Sequence, residues 1–234
     1  FPWSEAMVER SLRSVGATVQ AAEAALEYGL GINLAGGTHH GFSDRGEGFC
    51  VFNDVVVAAR KIQKKYPDSK VLIVDCDVHQ GNGTAAMTEE ADSIFTFSIH
   101  GAKNFPYHKY PSDLDIALPD GTGDAEYLQA LEQAPQNISA RFEPDLVFYL
   151  AGADPYIHDR FGRLGLSKQG LKERDHCVFS WCEGHRIPLV ITMAGGYAEQ
   201  ISDIVEIHVS TIQSALKQFQ FHAEQFQSRS SKCS

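Results

Sequence analysis

Apolar positions along this chain recur in two rhythms, and their alternation predicts the architecture. Residues 4–28 are Ala-rich with helical spacing, with Ser4 as N-cap, Gly29 as stop and Gly16 as a weak interior position. Short branched runs over 32–35, 71–74, 94–99, 146–150 and 189–193 read as buried strands of a parallel sheet. Amphipathic helices are predicted between them: 54–66, halted by Pro67; 84–90; 124 to about 142, capped by Asp124; 168–184, capped by Ser167; and around 204–219. Residues 101–124 carry Pro, Gly, Asp and Tyr and predict an ordered loop with a short strand near Ile116. Strands alternating with helices predict an α/β fold, three layers αβα with a mostly parallel central sheet.

In such a sheet, ligands bind beyond the carboxyl ends of the strands. Four predicted strand ends carry polar chemistry: His39 and His40 on a Gly-rich turn, Asp75 to His79, Asp154, and Gly195-Gly196-Tyr197. If the chain stays extended past Val74, then Asp75, Asp77 and His79 project from one face. Two carboxylates and an imidazole suit Zn²⁺ or a similar divalent ion, with a coordination position left for water. The same string also reads as a capped loop, because Gly81, Asn82 and Gly83 supply turn chemistry. In the loop over 44–53, Phe49 and Phe52 are too apolar for an idle excursion, and Phe52 is expected to anchor in the core.

Composition narrows the class. The 234 residues suit one large domain, and 43% hydrophobic with 21% charged residues is ordinary for a globular protein. The longest apolar run, 145–153, is far too short to span a bilayer, and no basic-then-apolar leader opens the chain. The five cysteines form no C-x-x-C pair and no even framework, which fits a reducing compartment. The expectation is a soluble cytoplasmic protein, with Phe1 as first residue pointing to a piece of a longer polypeptide. A net charge of −10 argues against direct nucleic-acid binding and mildly favours cationic substrates.

The ordered motifs G-G-T-H-H-G, V-D-C-D-V-H-Q-G-N-G, A-G-A-D and G-G-Y resemble those of the zinc-dependent histone deacetylase superfamily, over about residues 16–203. The H-Q-G-N-G segment and the single glycine pair before Tyr197 lean toward class IV and bacterial deacetylase-like members. The resemblance implies an arginase/deacetylase-like fold and hydrolysis of N-ε-acyl-lysine in a peptide or protein. It matches Asp77, His79 and Asp154 to the zinc ligands, Asp75 to the carboxylate orienting His39, and Asn82 to the partner of His40, where class I enzymes have Asp. His40 then serves as the proton carrier with His39 in electrostatic support, and Tyr197 donates to the oxyanion. Phe49 and Phe105 are matched to the walls of an acyl-lysine channel, Gly48 to a carbonyl facing the substrate amide, and Gly195 and Gly196 to bare backbone beside Tyr197. Asp75, Asp77, His79, Ser98 and Ile99 match a structural potassium site made largely of main-chain oxygens.

Relatives in that superfamily usually begin with a further βα unit and a rim loop bearing an acidic residue, which nothing here matches. Residues 1–220 are therefore expected to form one catalytic domain without that unit, with an edge or core face of the sheet uncovered, and 221–234 a fraying polar tail. Three alternatives stand beside the deacylase reading. One is an amidohydrolase of acetylpolyamines or other small N-acyl amines, another an arginase-like two-manganese enzyme, and the third a non-catalytic binding domain of the same shape.

Overall fold

A computed structural model describes residues 3–219. Helix α1 (Glu5–Tyr28) begins where the Ser4 hydroxyl accepts the Met7 N–H at 3.1 Å and ends at Gly29, whose φ of 88° only glycine adopts readily. Its inner face is small: Thr18, Ala21, Ala22 and Ala25 are buried. That permits close approach to β1 (Leu30–Asn33), where a Cβ on Gly31 would stand 1.8 Å from the Ala21 carbonyl oxygen. The strand starts two residues before the predicted one, because it pairs in register with Leu189 to Thr192.

Next come α2 (Asp54–Lys65), capped by Asn53, then β2 (Val71–Asp75), α3 (Asn82–Thr88), β3 (Ile94–Gly101) and β4 (Leu114–Leu118). They are followed by α4 (Asp124–Ser139), β5 (Leu146–Leu150), α5 (Lys168–His185), β6 (Leu189–Thr192) and α6 (Ile201–Phe219). The cap expected at Asp124 is not made. Gly123 is the N-cap, and the Asp124 carboxylate instead accepts the Ser167 N–H and hydroxyl at 2.8 and 2.6 Å, joining two helix starts.

The sheet order is β1-β6-β5-β2-β3-β4, and every ladder is parallel. Alternate residues of β2 serve opposite cores: Val71 and Ile73 pack with α1 and α2, Leu72 and Val74 with the α4, α5 and α6 side. This is the three-layer αβα arrangement. Phe148 and Tyr149 of β5 are fully buried on opposite faces, and Phe148→Ala would cost about 3–5 kcal/mol in transfer and cavity terms. From β2 the chain winds outward through β3 to β4, then returns to β5 and β6 on the other side. The reversal falls between β2 and β5, and a crevice at such a switch is where ligands of open α/β sheets bind. Among the described residues no helix is long and apolar enough to cross a membrane. The tail over 221–234 and its expected fraying lie outside them.

Candidate metal centre

The four strands whose ends carry the polar motifs are neighbours in the sheet: β1, β6, β5 and β2. Their adjacency brings one ligand atom each from Asp77, His79 and Asp154 within 4.8 Å of one another, and all three residues are buried or half-buried. His79 Nδ1 lies 2.9 Å from Asp77 Oδ1 and 3.2 Å from Asp154 Oδ2. Backbone amides fix the carboxylates: Asp154 Oδ1 accepts the Val78 N–H and Asp77 Oδ2 the Gly195 N–H, at 2.9 and 2.8 Å. Asp154 Oδ2 is buried and accepts no well-formed hydrogen bond, with the His79 ring nitrogen 3.2 Å away. Leaving such an atom unmatched is costly, and a divalent cation held by this oxygen, Asp77 and His79 would satisfy it.

Asp75 is not part of the cluster. Strand β2 stops at Asp75 and the next residues bend, so the extended geometry that predicts one shared face does not continue. The Asp75 carboxylate turns to His39, with Oδ2 2.6 Å from Nδ1, and its other oxygen accepts the Asp77 N–H. Asp77 and His79 reach the same point through the bend rather than through strand alternation. Among the described residues there is no second cluster of three such side chains.

The two adjacent imidazoles are driven apart electrostatically. Burial opposes charge on His39, but Asp75 and Asp77 outweigh it and push its pKa up to about 9. His40 is buried beside that cation and is pushed down to about 2. His40 is therefore neutral, and with Nδ1 2.6 Å from Asn82 Oδ1 the proton sits on Nδ1 and leaves the Nε2 lone pair free. Without a cation, burial and the Asp77 charge push Asp154 up to about 7. Against burial, Asp154 and Asp77 lift His79 to about 11. A bound cation would reverse both, keeping the carboxylate ionised and the imidazole neutral.

Around this cluster, Phe105 sets its ring edge-on to His40 with centroids 4.9 Å apart, and Phe49 lies 6.0 Å from the Tyr197 ring. Gly48 has φ +52°, and a Cβ there would meet His40 Cδ2 at 2.3 Å, so no other residue fits. A Cβ on Gly196 would come 3.1 Å from the Ala153 Cβ. Tyr197 is about a third exposed (36%), and its phenol is pushed to a higher pKa by burial and by Cys50 and Asp154. Phe52 is only half-buried, outside the core it was expected to anchor, and its carbonyl accepts the Thr38 hydroxyl at 2.6 Å. Asp75 stands opposite Ser98 in the β2–β3 ladder, with buried Ile99 next along the chain.

Sequence reasoning missed three carboxylates or cations that organise the site. Asp54, read only as a helix start, accepts the Gly37 and Thr38 N–H groups and the Thr18 and Thr38 hydroxyls, fixing the turn that carries both histidines. Asp159 accepts the N–H groups of Phe161, Gly162 and Tyr197. Arg174 is wholly buried, donating to the main-chain oxygens of Cys76 and Gly152.

A family model described as Histone deacetylase domain matches residues 1–212. An uncharacterized protein of Picosynechococcus is 45% identical over 208 residues, 89% of this chain and 69% of its own length. Histone deacetylase 2 of Arabidopsis thaliana is 34% identical over 201 residues, 83% of this chain and 52% of that protein. The acetoin utilization protein AcuC of Bacillus subtilis is 37% identical over 139 residues, 54% and 36% of the two lengths. Among solved structures, an HDAC homolog from Aquifex aeolicus superposes with a TM-score of 0.79 at 25% identity, covering 94% of this chain and 64% of that one. The chain thus spans about half the length of the Arabidopsis relative and about a third of AcuC.

Proposed function

Because the chain belongs to the histone deacetylase family, we propose that it hydrolyses N-acyl amides, removing acetyl or longer acyl groups from N-ε-acyl-lysine with one Zn²⁺. Residues 1–220 act as a single catalytic domain in this reading. Asp77, His79 and Asp154 would hold the ion. Zinc, when bound, polarises the acyl carbonyl and brings the pKa of a coordinated water down to about 7.

The protein's own groups do the rest. His40, neutral and with its Nε2 lone pair free, takes the water proton and returns it to the leaving amine. His39, held cationic by Asp75, supplies positive charge close to the developing oxyanion, and the Tyr197 hydroxyl donates to it. Phe49 and Phe105 give an alkyl stem apolar walls, and the Gly48 carbonyl accepts the substrate amide N–H. A structural potassium on main-chain oxygens around Asp75, Asp77, His79, Ser98 and Ile99 belongs to the same reading.

The observation that carries it is the Asp77-His79-Asp154 cluster, where the buried Asp154 Oδ2 accepts no well-formed hydrogen bond and faces the His79 ring nitrogen at 3.2 Å, beside an imidazole kept neutral. The test is His40→Ala. Hydrolysis of acetyl-lysine peptides should be lost while zinc content stays near one per chain, and retained turnover would remove His40 as proton carrier. Run alongside, turnover of acetylspermidine in preference to the peptides would move the substrate to small N-acyl amines, and no turnover of either would favour a binding role.

A further inference from the structure

Arg174 on α5 heads the largest fully buried side chains among the described residues. Placing a guanidinium there carries a desolvation cost that only well-formed hydrogen bonds offset. Its Nη1 donates to the carbonyl oxygens of Gly152 and Cys76 at 2.6 and 3.3 Å. Its Nε and Nη2 donate to Asp175 Oδ1 at 3.1 and 2.8 Å. Asp175 is anchored in turn by the Tyr149 and Thr211 hydroxyls, each at 2.5 Å.

The two carbonyls are in a particular place. Cys76 immediately precedes Asp77, and Gly152 lies two residues before Asp154. The ladder between β2 and β5 runs to Asp75 opposite Leu150, and one further main-chain bond joins Cys76 N–H to the Leu150 oxygen. Past that point the two loops are tied by side chains: Asp154 to the Val78 N–H on the ligand side, Arg174 from behind. One nitrogen of one guanidinium therefore spans both loops that bring carboxylates to the ion. A lysine ammonium lacks the planar fork that serves the carbonyls and Asp175 together.

We propose that Arg174 is a positioning residue that sets the spacing between the Asp77 and Asp154 loops and so tunes metal affinity. The inference rests on the reading of Asp77, His79 and Asp154 as the ligands. Partners that orient metal ligands from behind are typically worth roughly 10–100-fold in affinity, and Arg174 acts through the backbone just before two of the ligands, at Cys76 and Gly152.

The test uses the full chain and Zn²⁺ alone, with affinity read by competition against a chromogenic chelator and stability by melting of the metal-free protein. Arg174→Lys should weaken zinc by roughly 10–100-fold. The pair Arg174→Met with Asp175→Asn removes both charges together, leaves no lone buried acid, and should show the same loss if the lysine variant fails to fold. Thr211→Val breaks a bond on the far side of Asp175, and should lower the melting temperature while leaving zinc affinity unchanged. Folded Arg174 variants that bind zinc like wild type would overturn the proposal, as would a Thr211→Val loss of affinity equal to theirs. Wild-type protein that binds no zinc would instead remove the metal reading beneath it.

Discussion

Replacing Gly195 by alanine adds one methyl group between the two carboxylates that face the candidate ion. The new Cβ would stand 2.2 Å from Asp154 Oδ2 and 2.7 Å from Asp77 Oδ2. Ordinary van der Waals contact begins near 3.4 Å, so the Asp154 oxygen would have to retreat by about 1.2 Å. Metal sites tolerate roughly ±0.2 Å in ligand distance, so Asp154 would cease to coordinate. We expect zinc affinity to fall at least ~100-fold, about 2.8 kcal/mol. The backbone should accept the change, because φ at Gly195 is not positive and alanine can adopt it. At Gly196 the nearest atoms to a new Cβ are 3.1 and 3.2 Å away, on Ala153 and Ile204, so Gly196→Ala is the milder control. Chelator competition gives the affinity, and melting of the metal-free protein shows whether the fold survives. A folded Gly195→Ala protein with wild-type zinc affinity would show that these oxygens do not face the ion.

Two further outcomes follow from the site. Tyr197→Phe should lower kcat for acetyl-lysine peptides by about 10²–10³ with little change in KM, as for loss of an oxyanion donor, and an unchanged kcat would place the phenol outside the chemistry. Burial and cationic His39 hold His40 near 2, whereas an unfolded imidazole titrates near 6.5. Below about pH 6.5 the unfolded chain takes a proton that the folded one refuses, so His40 makes metal-free stability fall from there toward pH 2 and is neutral above it. Urea midpoints of wild type and His40→Ala should converge on acidification, and a gap constant between pH 7 and 5 would refute the assignment.

The strand ends were legible because aspartate or glycine follows the branched apolar runs at Asp75, Asp154 and Gly195, and β5 falls where the sequence places it. What the sequence could not give is neighbourhood. That β6 and β5 lie between β1 and β2 is a property of long-range pairing, and it alone puts His39 and Asp154 in one crevice. The local path was misjudged at 76–80, where a bend replaces the extended chain and turns Asp75 toward His39 and away from the cluster. Asp54 and Asp124 sit at helix starts, where an acidic residue is expected as a cap, yet both bind groups far along the chain. Arg174 stood among charged neighbours of α5, and no period marks which charge on a helix turns inward.

The most direct measurement is X-ray absorption at the zinc edge on the reconstituted full chain, with Asp154→Ala in parallel. The expected result is one zinc per chain with only nitrogen and oxygen neighbours at about 2.0–2.2 Å, and loss of that shell in the variant. Zinc bound through sulfur, or an identical shell in Asp154→Ala, would contradict it.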